Sequence, residues 1–126
     1  MADQSIILCV DDEEVALFLR KAVLEKFGFR VTAVTSAKRA LEVLKTTRVD
    51  LVLSDLLMPD VPGSELAKAV KENYPGLPVV IVSGVNEIPP DAGYADLFVS
   101  KLEGPVALCE RLRNILEQSG TLHASP

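Results

Sequence analysis

Five short runs, Ser5 to Val10, Arg30 to Val34, Asp50 to Ser54, Val79 to Ser83 and Asp96 to Ser100, are apolar almost throughout and recur along the chain. Hardly any polar residue alternates within them, so neither face of the strands they form can meet water. Strands of that kind belong to a parallel sheet covered on both sides, and the segments between the runs have the spacing to cover it. Glu13 to Phe27 places Val15, Phe18, Leu19, Ala22 and Val23 at helical intervals, with Gly28 as a stop. Ser36 is suited to cap a helix running to about Lys45, with Ala37, Ala40, Leu41 and Leu44 inward. Ser64 to Tyr74 turns Leu66, Ala69 and Val70 to one side before "YPGLP" closes it, and Pro105 opens a last helix carrying Val106, Cys109, Leu112, Ile115 and Leu116. The expectation is a single α/β domain over residues 1–126, its core at about 5–118 and a flexible tail at 119–126.

Charge and cysteine content narrow the function. Eighteen acidic against thirteen basic residues give a net charge of -5, which repels a nucleic-acid backbone. The apolar runs fall far short of the roughly 18 residues of a membrane span. The start "MADQS" carries an acid where a secretory leader is basic, so the expected location is the cytoplasm, with no membrane partner. Cys9 lies in an apolar run and Cys109 on the apolar side of the last helix, which predicts two buried free thiols.

In an open parallel sheet, ligands bind beyond the carboxyl ends of the strands. Asp11 and Asp12 end the first run, Asp55 the third, Ser83 the fourth, and Lys101 the fifth. Each alone is ordinary turn or helix-start material. Turns, however, have no need to gather three acids and a lysine on one rim. Crowded carboxylates repel and hold protons unless a cation joins them. Oxygen-only ligands in small number suit Mg²⁺, which binds one or two carboxylates at about 2.0 to 2.1 Å and completes its shell with water and phosphate oxygens.

With "CVDDEE", "LVLSDLLMPDVPG", "VVIVSG" and "FVSK" in this order, the chain resembles the receiver domain of two-component response regulators, from Ile6 to about Gln118. The resemblance implies a doubly wound five-stranded parallel sheet of order 2-1-3-4-5. It implies that Asp55 accepts a phosphoryl group from a histidine kinase or histidine phosphotransfer protein. Asp12 and Asp55 then hold Mg²⁺ directly, Asp11 largely through water, and Leu57 through its backbone carbonyl. Lys101 neutralises phosphoryl charge, Ser83 hydrogen-bonds a phosphoryl oxygen after transfer, and Phe98 is the aromatic switch residue that buries as the Ser83 loop moves. On this reading the chain is a signalling module and not an enzyme beyond its own phosphorylation and dephosphorylation, a monomer or weak dimer acting on a downstream protein. The alternatives are a receiver-like interaction module that takes no phosphate, and a Mg²⁺-dependent phosphohydrolase with an aspartyl nucleophile. The second is disfavoured by Leu57, which stands where such enzymes carry another acid.

Two departures from the family pattern stand out. Lys101 is followed by Leu102 where most receivers have proline, leaving either a trans loop or a costly non-proline cis bond. Gly84 to Asp96 is short and holds Pro89 and Pro90 in mid-segment, which predicts a fourth helix reduced to one turn at most, near Pro90 to Gly93. The output face that receivers commonly build around that helix is altered accordingly. Leu57 and Val85, two residues beyond Asp55 and Ser83, carry no polar group to orient an attacking water, which predicts a long-lived phosphoryl group. His123, isolated in the tail, reads as a solvated side chain.

Overall fold

The structure, a computed structural model, describes residues 4–84 and 92–118. In chain order these residues form β1 (Ile6–Val10), α1 (Glu14–Lys26), β2 (Arg30–Val34), α2 (Ala37–Thr46), β3 (Leu51–Asp55), α3 (Gly63–Asn73), β4 (Val79–Ser83), β5 (Leu97–Ser100) and α4 (Pro105–Gln118), with 3₁₀ turns at Ala92–Tyr94 and Lys101–Glu103. The five strands make one sheet, every pairing parallel, in the order β2-β1-β3-β4-β5.

Because strand side chains alternate between faces, each strand feeds two cores. Ile7, Cys9, Leu51, Leu53, Val80, Val82 and Val99 pack with Leu17, Leu24, Leu108, Leu112 and Leu116 of α1 and α4. Leu8, Val10, Val52, Val79 and Ile81 pack with Ala37, Ala40, Leu44, Leu66, Ala67 and Val70 of α2 and α3. This two-sided burial is why the runs contain so few polar residues. Cys9 and Cys109 are free and buried, as the sequence predicts.

The amino-terminal edge of the sheet is tied by two acids outside the ligand-binding rim. Asp50 accepts the Ile6 N–H at 2.8 Å through Oδ2 while its own N–H donates to the Ile6 carbonyl. Asp96 does the same for Val79, accepting its N–H at 2.7 Å and donating to its carbonyl.

Several local expectations are met. Ser36 Oγ accepts the Arg39 N–H at 3.2 Å and caps α2, and Gly28 takes a φ of 100° past the end of α1. The inward face of α1 is a correction. Val15, Phe18 and Leu19 are exposed, Phe18 by 70%, and Leu17 and Leu24 are buried instead, with Val23 and Phe27 packed beside them. The true inward stripe, 17-20-24-27, has Arg20 in its middle, so its apolar pattern is broken in the sequence. On α4, Val106 faces outward and Leu108 takes the expected buried place. The third helix begins at Gly63, one residue before Ser64, with Pro62 at its cap position and no side-chain cap.

The missing proline after Lys101 is replaced by a turn. Ser100 Oγ accepts the Leu102 N–H at 3.1 Å, and Gly104 at φ 87° leads into α4. Among the described residues there is no cis peptide bond. Between β4 and β5 the described helical element is the 3₁₀ turn Ala92–Tyr94, overlapping the expected single turn. Val85, Pro89, Pro90 and His123 lie outside the described residues.

Candidate functional site

The sheet register brings the polar strand ends to one rim. Asp55 pairs in register with Val82, so Ser83 stands one residue further out on the adjacent strand, level with Ser100 and next to Lys101. Asp11 and Asp12 follow Val10, whose register partner Ser54 precedes Asp55. The chain after Asp55 then folds back sharply. Leu56 donates to the Val82 carbonyl at 3.0 Å, and Gly63 donates to the Leu56 carbonyl at 2.7 Å. Gly63 lies against the Asp55 carbonyl oxygen so closely that a Cβ there would overlap it. Leu56 and Met58 anchor the loop in the core, and the Leu57 side chain is 60% exposed.

Asp11, Asp12 and Asp55 each offer a carboxylate oxygen, and these oxygens all lie within 4.8 Å of one another. Asp11 and Asp55 are buried, whereas Asp12 is exposed. Lys101 Nζ lies 2.8 Å from Asp55 Oδ1. The ammonium is in ion-pair contact there but off hydrogen-bond alignment, because that buried oxygen has no aligned donor among the described residues. Burial pushes the Asp55 carboxyl up from the usual carboxylate range, and Lys101 opposes the shift, while the neighbouring charge of Asp11 adds to it. Three carboxylates with oxygens this close together fit a hard divalent cation.

Asp11 is held on both oxygens. Oδ1 accepts the Glu13 N–H at 2.9 Å, and Oδ2 accepts from Arg20 Nη1 at 3.2 Å. Arg20 was not among the candidates from sequence. It sits two helical turns beyond the acids, and no local motif marks it; only the unexpected charge in an inward stripe does. It also stands beside Cys9, whose thiol burial pushes up to about 11 although Arg20 pulls the other way.

Of the residues singled out by sequence, Asp11, Asp12, Asp55 and Lys101 therefore meet. Ser83 is buried at the adjoining strand end. Phe98, in register with Ile81, is half-buried against the core on the α2 and α3 side and does not join the charged cluster.

The sequence pattern of the response regulator receiver domain matches residues 7–113. Over 83 residues the chain is 43% identical to the two-component response regulator ORR5 of Oryza sativa subsp. japonica, an alignment spanning 64% of this chain and 62% of the rice protein. A CheY-like receiver domain protein from Methanospirillum hungatei superposes with a TM-score of 0.85 at 26% identity, covering 93% of this chain and 97% of that one. The regulator TrrA of Thermotoga maritima, solved in complex with Mg²⁺-BeF, shares the fold with a TM-score of 0.83 at 24% identity, over 89% of this chain and 99% of the other. Rim, sheet order and sequence pattern thus agree, and the chain belongs to the response regulator receiver domain family. It is a receiver domain of two-component signalling. Among the described residues no helix is long and apolar enough to cross a membrane.

Proposed function

We propose that Asp55 is the phosphoacceptor of this receiver domain, taking its phosphoryl group from a phosphohistidine of a histidine kinase or phosphotransfer protein. The observation that carries the proposal is the position of Asp55: a buried carboxylate at a strand end, in contact with Lys101 and within reach of two further acids. An ionised carboxylate is a competent nucleophile toward phosphorus. Burial favours its neutral form, and the charge of Lys101 opposes that shift. As the phosphoryl passes to an Asp55 oxygen, the Lys101 ammonium is placed to share the charge spread over the equatorial oxygens, the main demand that phosphoryl transfer makes of a protein.

Asp12 and Asp55 would hold Mg²⁺ directly, Asp11 largely through water and Leu57 through its backbone carbonyl; bound there, the ion neutralises phosphoryl charge and orients the group. The Thermotoga neighbour solved with Mg²⁺-BeF supports this. After transfer, Ser83 hydrogen-bonds a phosphoryl oxygen and draws its loop inward. Phe98, half-buried beforehand, would then pack more deeply as that loop moves. A local charge event thereby biases an element with two packings.

A donor histidine must reach bonding distance of Asp55, so the protein carrying it covers the surface around that carboxylate. Val15, Phe18 and Leu19 of α1, with Leu102 and Val106, are exposed and apolar, and Leu19 lines the groove that reaches Lys101; we propose that these residues form that surface on the Lys101 side. The proposed occupant of this patch is the phosphodonor.

The test is incubation with acetyl phosphate and Mg²⁺, with Asp55→Asn as control. The expected result is one phosphoryl per chain in the wild type, dependent on Mg²⁺, and none in the variant. Incorporation that survives Asp55→Asn, or no incorporation by either protein, overturns the proposal. The isolated phosphoprotein is expected to keep its label for minutes in Mg²⁺, since the Leu57 side chain cannot orient a water; loss within seconds refutes that part.

A further inference from the structure

An arginine on the inward stripe of α1 calls for a reason. Its neighbours there, Leu17 and Leu24, are buried and apolar, and an apolar residue at position 20 would pack without desolvating a charge. The Arg20 side chain is only 15% exposed. It lines a groove of about 360 Å³ between α1 and α4 whose other walls include Val23, Val82, Val99 and Leu108, with Lys101 at the same rim. Both oxygens of Asp11 are engaged, Oδ1 by the Glu13 N–H and Oδ2 by Arg20. A metal drawing on Asp11 Oδ2 must therefore share or displace the arginine.

We infer that Arg20 is a resident counter-ion of the acidic cluster, competing with the divalent cation for Asp11 and so raising the Mg²⁺ concentration at which the site loads. The inference rests on the metal-binding part of the proposed function. Three carboxylates face two fixed cations, Arg20 and Lys101, so much of the attraction that would draw in a dication is already neutralised. Of the two, Lys101 contacts the nucleophile, and Arg20 contacts Asp11. Arg20 can thus tune loading without entering the transfer itself.

The test uses Mg²⁺ alone, with no phosphodonor. Melting temperature is followed against MgCl₂ concentration for wild type, Arg20→Met and Arg20→Lys, since a ligand that binds only the folded state raises stability by RT ln(1 + [L]/Kd). Calorimetric titration of the same proteins gives the dissociation constants directly. Arg20→Met is expected to load at an Mg²⁺ concentration lower by about threefold or more, and Arg20→Lys, which keeps the charge, within about twofold of wild type. Equal loading in Arg20→Met and wild type overturns the role. Weaker loading also overturns it, and shows that Arg20 instead positions Asp11 for the metal. No Mg²⁺ response in any of the three proteins sinks the metal site itself. Should Arg20→Met fail to fold, the wild type still decides: the Arg20 guanidinium NMR signal is expected to shift along the Mg²⁺ titration, and a signal that stays fixed as the site loads refutes competition.

Discussion

Two single positions show how tightly the rim is built. Gly63 has no positive φ and needs none; its requirement is space, because the backbone of the folded-back loop touches the Asp55 carbonyl. Gly63→Ala is expected to lower stability by about 1–3 kcal/mol through the forced backbone shift. Urea unfolding measures the loss, and a variant as stable as wild type shows that the loop moves aside freely. Arg20 marks the opposite limit of legibility. Asp11, Asp12, Asp55 and Lys101 could be read as a cluster from strand ends alone, since a parallel sheet leaves those ends as the place for polar groups. Arg20 could not, because what brings it to Asp11 is the rotation of α1, and its own charge hid that rotation.

At the scale of elements, the strands were legible and the faces of the helices less so. A strand buried on both sides is apolar throughout, so a one-residue error in its ends changes nothing about its core. A helix has to be assigned a face, and α1 carries two apolar stripes. One is regular and faces outward; the other is interrupted by Arg20 and faces the sheet. The outward stripe leaves Phe18 exposed, one residue before Leu19, which lines the groove that reaches Lys101. Phe18→Ala is therefore expected to slow phosphoryl transfer from a cognate kinase or phosphotransfer protein several-fold. Labelling by acetyl phosphate, which needs no protein contact, is expected to be unchanged. Equal slowing with both donors would place the effect in the acceptor site and remove α1 from the donor surface. The loop after Lys101 was legible only as a departure. Without proline there, Ser100 supplies a side-chain cap and the turn is made by hydrogen bonding in its stead.

Across the whole molecule, acids serve opposite purposes at the two edges of the sheet. Those at the carboxyl edge crowd together and call for a counter-ion, whereas Asp50 and Asp96 at the amino edge close reciprocal backbone pairs with Ile6 and Val79. Asp50→Ala is expected to cost about 1–3 kcal/mol by leaving the Ile6 N–H without its partner, with Mg²⁺ binding unchanged. Chemical denaturation and a metal titration on the same variant separate the two effects, and a loss of metal binding would show that the edges are coupled. The sheet then resembles a plate clamped along one margin. On the proposed function, a phosphoryl group would add its charge at the margin opposite that clamp, where Leu56 is bonded to Val82 and Asp11 to Val34.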